Sequence, residues 1–233
     1  MTKQVLLASV FAFGAVVAPA SAGTWNGFYI GLNAGGAFGD TDWTNVSNTT
    51  GGGAGAINFA PGQTIDQSVD GVGGGAQLGY NYQMSNWLFG LEVGWSALDY
   101  DETTLNTNPG DTNEFVTSEI NWLASAALRA GWTWDNSVVY LKGGYAMTKV
   151  NTDHFDPGNL SYSTDEDHSG WTAGAGIEHQ IGDNVSVGLE YNYYDFGNQD
   201  HTGTTAGPAT VVNDIDVTLQ TVTARLSYHF NPF

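Results

Sequence analysis

Six charged residues sit where they could act on one another. Glu92, Arg129, Lys142, Glu178, Glu190 and Arg225 lie within alternating apolar–polar segments, each on the polar parity of its segment. Through the chain their signs run minus, plus, plus, minus, minus, plus. A charge held away from water costs several kcal/mol unless it is paired. Three acids and three bases confined to one narrow interior should therefore pair. The chemistry expected of them is electrostatic: a salt-bridged plug.

The other reactive side chains make a weaker case. His154, His168 and His201 fall in stretches read as loops, and His179 and His229 lie near short turns. Asp153, Asp156, Asp165, Glu166 and Asp167 gather around His154 and His168. Oxygen-rich clusters take divalent cations such as Ca²⁺, but this one lacks the ordered spacing of a calcium loop, which makes it a solvated acidic face. Hemin capture by His154, His168 or His201 is a weaker reading of the same residues. No nucleophile elbow, paired-acid cleft or metal triad appears. The expectation is a non-enzyme without cofactor or metal.

The elements that must position these residues are strands. From Val222 to Phe230, Val222, Ala224, Leu226, Tyr228 and Phe230 alternate with Thr223, Arg225, Ser227 and His229. Period two is the signature of a strand with one greasy and one wet face. The pattern recurs in seven earlier segments, which begin near Thr24, Gly71, Asn86, Glu119, Ser137, Ser169 and Asn184. In the fourth, Ile120 is grouped with Trp122 on the apolar face. In the eighth, Val217 and Leu219 fall on the wrong parity, which predicts either a bulge or emergence from the membrane.

Connections alternate in length. Short ones surround Ser85, Asp135-Asn136 and Gly182-Asp183; long ones run over 40–70, 99–118, 151–168 and 198–215. Three short turns and four long loops predict an all-β, eight-stranded antiparallel transmembrane β-barrel with periplasmic turns and extracellular loops. Both termini then lie in the periplasm. The six charges fall at similar depths from the short-turn end, in an interior just wide enough for side chains to fill.

The start of the chain supports export. Lys3 precedes an uncharged apolar run over Val5–Ala18, then Ala20-Ser21-Ala22. This reads as a signal peptide, residues 1–22, cleaved after Ala22, leaving residues 23–233 as the barrel. The run is too short to span a membrane as a helix. The full chain carries 24 acids against five Lys and Arg, a net charge of −19. Such a surface excludes nucleic acid, which demands the opposite sign. All acids except Glu92, Asp135, Glu178, Asp183 and Glu190 belong to the loops and upper strand ends. With no cysteine, neither disulfides nor thiolate chemistry arise.

Aromatic residues supply a ruler. Trp87 and Trp95 are eight positions apart on one apolar face, and Trp122 and Trp132 are ten apart. At ~3.4 Å per residue and a tilt of ~40° these spacings correspond to roughly 21 and 26 Å along the membrane normal. That is close to the ~25 Å apolar band of outer-membrane barrels, and assigns Trp87, Trp95, Trp122, Trp132 and Trp171 to aromatic girdles facing outer-membrane lipid. A soluble lipocalin-like barrel would turn its charges outward along every strand. Here the outward face would be uncharged and would aggregate in water.

W-N-G-F-Y-I-G-L-N-A-G-G at Trp25, G-W-T-A-G-A-G-I-E-H at Gly170, L-E-Y-N-Y-Y-D-F-G at Leu189 and the ending A-R-L-S-Y-H-F resemble strands of the OmpA-like outer-membrane barrels of alphaproteobacteria, the porin-like or opacity-type surface antigens. The resemblance implies an eight-stranded barrel in the bacterial outer membrane, assembled by the barrel-insertion machinery. It implies that Tyr228, Phe230 and Phe233 form the aromatic ending read by that machinery. The function expected is envelope support with display of acidic surface loops around a largely closed lumen. The alternatives are a small cation-preferring porin and a surface adhesin or hemin receptor.

Overall fold

The computed structural model describes residues 25–49, 61–105, 115–155, 162–204 and 210–230. The expected signal peptide with its cleavage site at Ala22, and Phe233 at the C-terminus, lie outside the described residues. Eight antiparallel strands close into one barrel, each paired with its sequence neighbours and β8 with β1. They are β1 Gly27–Thr49, β2 Thr64–Met84, β3 Trp87–Leu105, β4 Phe115–Trp134, β5 Ser137–Phe155, β6 Tyr162–Gln180, β7 Val185–Thr204 and β8 Thr210–Phe230. Closure leaves no free edge in lipid, where an unpaired backbone amide would cost several kcal/mol.

The short connections form one end of the barrel, the turn end. Ser85 and Asp135 open the first two turns with φ of 54° and 47°. The Asn86 side chain donates to the Thr133 carbonyl at 2.8 Å, tying the first turn to the second.

The opposite, loop end departs from the sequence reading. Stretches assigned to long loops are mostly strand. β1 continues to Thr49, β2 begins at Thr64, and β6 begins at Tyr162. A bilayer needs only ~9–11 residues per tilted strand, whereas these strands run to between 19 and 23. About half of each strand therefore stands clear of the apolar band. Alternating Thr, Asn and Asp carry little apolar signal, but the ladder still satisfies their backbone groups.

The loop end is also no longer one ring. Among the described residues, β2 and β3 pair only below Val72–Asp99, and β6 and β7 only below Trp171–Asp195. The other ladders continue upward, for instance to Thr49–Thr210, Leu105–Phe115, His154–Tyr162 and Thr204–Thr210. The barrel thus parts along two seams into a pair of four-stranded sheets, β7-β8-β1-β2 and β3-β4-β5-β6. Between them lies an apolar core that includes Trp43, Tyr100, Ile120, Val150, Ile215, Val217 and Leu219.

One reading of parity is overturned, and an open one is decided for emergence from the membrane. Ile120 points inward and is buried, because the β4–β5 register shifts between Ile120 and Leu123. An extra residue at this point reverses the facing of everything above it, and Trp122 sits half-buried at the irregularity. In β8 no bulge is needed. Its register against β1 is unbroken from Phe230 to Asn213, and Val217 and Leu219 occupy the same inward row as Arg225. The row itself changes from polar to apolar as it leaves the membrane.

Candidate functional site

The waist of the barrel holds the six charged residues. Their rows in β3 to β8 face inward, and the register brings them to one level: Arg129 pairs with Lys142, Glu190 with Gly176, and Arg225 with Gly188. All six are buried, with exposures between 1% and 9%. Glu92 is the hub. It accepts from Lys142 Nζ at 3.0 Å and from Arg129 Nη1 at 3.4 Å, and it also pairs with Arg225. Lys142 reaches Glu190 at 2.7 Å, and Arg129 reaches Glu178 at 2.7 Å. Arg225 closes the set by pairing with Glu190. Each base meets at least two acids, so no formal charge is left without an opposite partner.

Two tyrosines complete the layer. Tyr29 donates to Glu92 at 2.7 Å and accepts from Arg129 at 2.5 Å. Tyr140 donates to Glu190 at 2.6 Å, and the Arg129 guanidinium lies 3.8 Å from its ring centroid. Guanidinium over an aromatic face adds cation–π attraction in a desolvated site. Both rings need space beside the wall, and glycine supplies it. Gly79 is the register partner of Tyr29, and Gly176 that of Tyr140. A Cβ on either glycine would fall 2.4 Å from the facing ring. The signal for these residues was present in the sequence, since Tyr29 and Tyr140 both stand on the polar parity. A tyrosine there needs a hydrogen-bond partner.

Further groups seal the layer toward the turn end. Ser186 donates to Glu178 at 3.1 Å and bonds His229 Nε2 at 2.8 Å. His229 meets the buried Trp25 edge-on at 5.2 Å. Trp25, Leu88, Val138 and Tyr140 form a small apolar cluster below the charges. Above them is a cavity of about 40 Å³, lined by Asn33, Gln77, Ser96, Ser125, Asn192 and Thr223 among others. It has room for water and little more.

Outward, the apolar rows are exposed from Phe28 to Leu32 and from Val222 to Phe230, with the other strands alike. Trp87 and Trp132 are register partners near the turn end, with centroids 5.1 Å apart. Trp95 and Trp171 are exposed at the other margin of the apolar rows, where Trp171 packs against Tyr193 at 5.4 Å. Tyr228 and Phe230 are exposed and in edge contact.

The outward apolar surface and the closed ring of strands agree with the comparisons. The outer membrane protein beta-barrel domain matches residues 5–230. The chain belongs to this family. The 31 kDa outer-membrane immunogenic protein of Brucella melitensis is 28% identical over 193 residues, covering 77% of this chain and 75% of that one. The 22 kDa outer membrane protein of Rhizobium leguminosarum bv. viciae is 27% identical over 182 residues, covering 77% and 68%. Outer membrane protein P1 of Coxiella burnetii is 26% identical over 225 residues, covering 88% and 86%. Among solved structures, the outer membrane protease OmpT of Escherichia coli has a TM-score of 0.50 at 12% identity, covering 91% of this chain and 99% of that one. That likeness concerns the fold alone. The protein is an outer-membrane β-barrel, and it sits in lipid.

The histidines read as loop residues are elsewhere. His154, His168 and His201 belong to β5, β6 and β7, and all three side chains are buried inside the loop-end sandwich. They do not face the acidic exterior that was read around them. Sequence reasoning missed this because their parity continues the inward rows only after the strands are known to extend past the membrane. Among the described residues, no group of three metal-ligating side chains converges.

Proposed function

We propose that the protein is a closed, non-enzymatic outer-membrane barrel that supports envelope integrity and presents an acidic face to the medium. The observation carrying this reading is the waist layer, where three acids, three bases and two tyrosines interlock across the lumen. An ion crossing it would have to break pairs in a low-dielectric interior, at a cost of several kcal/mol each. Above the layer lie the small cavity and then the apolar core. The acidic exterior follows from outward carboxylates such as Asp40, Asp42, Asp66 and Asp216. The curated relatives named as immunogenic proteins favour surface display of this face.

Planar-bilayer recording of the refolded protein tests the closed lumen. The wild type should conduct little, and Arg225→Ala should raise conductance by vacating volume and taking one cation from each of Glu92 and Glu190. A wild type that conducts steadily, unaffected by Arg225→Ala, would promote the alternative of a small cation-preferring pore. The aromatic rows around Trp87, Trp132, Trp95 and Trp171 are then the girdles that hold the apolar band at its depth. Tyr228, Phe230 and Phe233 are the ending engaged by the insertion machinery. Deleting Phe233 should lower insertion in cells and leave detergent refolding intact; equal loss in both would reduce the residue to a stabilising role.

A further inference from the structure

The β6/β7 seam is bridged by side chains where its backbone ladder stops. His168 of β6 and His201 of β7 meet Nε2 to Nε2 at 2.8 Å, both only 1% exposed. His201 Nδ1 lies 3.2 Å from Thr164 Oγ1 and 3.5 Å from Thr152 Oγ1, and these hydroxyls bond each other at 2.7 Å. His201 belongs to one sheet; Thr152, Thr164 and His168 belong to the other. The chain enters this stretch of β7 through a bulge, where Gly197 takes φ of 59° and its N–H donates to Asp195 Oδ1 at 3.0 Å.

A bond between two imidazoles needs one donor and one acceptor nitrogen, so at least one ring must be neutral. Two imidazolium rings present only N–H groups and repel each other. We propose that His168 and His201 form an acid-released clasp that holds the loop-end sandwich shut along the β6/β7 seam, so that protonation parts the seam and exposes the apolar interior.

Among the described residues no carboxylate bonds either ring; the acids of this region include Glu166, Asp167 and Glu102, of which Asp167 acts on His168. From β5 Thr152 contacts His201, Thr148 is the register partner of His168, and His154 is buried further along the same row. From β6 come Thr164 and the half-buried Glu166, with Asp165 and Asp167 exposed on the outer parity. β7 adds Asp200, exposed, and β8 adds the neutral Asn213. Across the sandwich the inward rows of β1, β2 and β4 carry Trp43, Asn45, Gln67 and Ser118, where Trp43 Nε1 donates to Gln67 and Ser118, and β3 carries the half-buried Glu102. Lys149 is occupied outside by Asp165. Burial pushes His168 down to about 4, with Asp167 opposing the shift. Burial, and then His168, push His201 down to about 4.

The sign follows from linkage. A histidine that titrates near 6.5 when opened and near 4 when closed favours closure only while neutral. Closure is at full strength above pH ~6.5 and is lost as pH falls from there toward 4. At pH ~5 the opened form gains roughly 20-fold relative to pH ~7 for one histidine with these two values.

The chain has no cysteine, so introduced cysteines can be spin-labelled without background. Labels at Ser169 and Gln199, exposed on opposite banks of the seam, report its width by pulsed EPR on the full chain in lipid nanodiscs. One distance population is expected at pH 7.5, with a longer one growing reversibly below pH ~5.5. Labels at Asp153 and Ser163, partners in the intact β5–β6 ladder, should not move. His168→Gln with His201→Asn should abolish the pH response. A seam unchanged down to pH 4, a response that survives in the double variant, or movement of the reference pair would each overturn the clasp. Should the double variant not refold, ring NMR of the wild type decides. Both histidines must titrate clearly below 6; titration near 6.5 in the closed protein would overturn the proposal.

Discussion

The same eight strands build two interiors with opposite chemistry. At the waist the outward rows are Leu, Val, Ile and aromatic residues, and the inward rows carry Glu92, Arg129, Lys142, Glu178, Glu190 and Arg225. Above it, the inward rows become Ile215, Val217, Leu219, Trp43 and Val150, and the outward rows become acidic. β8 shows the change along one unbroken row, from Arg225 at 4% exposure to Leu219 at 0%. The solvent outside decides which face may be greasy. In lipid an apolar exterior is free, so the narrow lumen takes the polar groups and pairs them. In water only an apolar interior supplies a driving force, and the ring parts into two sheets that pack on each other. The upper half has the apolar-in, charged-out pattern of a soluble protein, built as two packed sheets and not as a closed barrel.

The two halves should fail differently. The largest effect is expected at the waist. Arg225→Ala strips a cation from Glu92 and Glu190 at once, and truncating one partner of a buried pair costs ~3–5 kcal/mol. Urea unfolding in detergent should show a loss of that order. Adding Glu190→Ala should cost less than the sum of the single changes, because the two residues share one interaction. Strict additivity would dissolve the layer into independent charges.

A core truncation in the upper half comes next. Leu219→Ala should cost ~2–5 kcal/mol by the usual cavity and transfer terms. Its signature is local: faster hydrogen exchange and protease cleavage at the loop end, with the folded-barrel mobility on unheated gels retained. Exchange that quickens equally at the waist would show the halves to be one cooperative unit.

Gly79→Ala probes how tightly the waist is built. Its methyl group would displace the Tyr29 ring from Glu92, and overpacking of this kind costs ~1–3 kcal/mol. The substitution with Tyr29→Phe should lose little beyond Gly79→Ala alone if the displaced hydroxyl is the cause. The smallest effect is expected at Lys149→Ala. Its bridge to Asp165 is exposed to water, and unfolding should be unchanged within error.

Much of this was legible in the chain. Strict alternation in β8, the short turns at Ser85 and Asp135, and the charges on polar parity follow from local residue pattern, because a membrane strand must alternate and a two-residue turn must be tight. Where the pattern thinned, reading stopped. Thr, Asn and Asp in the upper strands look like loop, and a single register shift beside Ile120 reverses which face is inside. His168 and His201 stand 33 positions apart, and no local rule brings them together.

By itself, then, the sequence determined that the chain is a membrane-spanning antiparallel barrel with a balanced set of interior charges. The hydrophobic period and the charge parity are properties of each strand alone. Only the tertiary structure decided which acid meets which base, that Tyr29 and Tyr140 join them, and that the upper strands split into two sheets clasped by histidines. Those outcomes depend on register and closure, which arise from all eight strands at once.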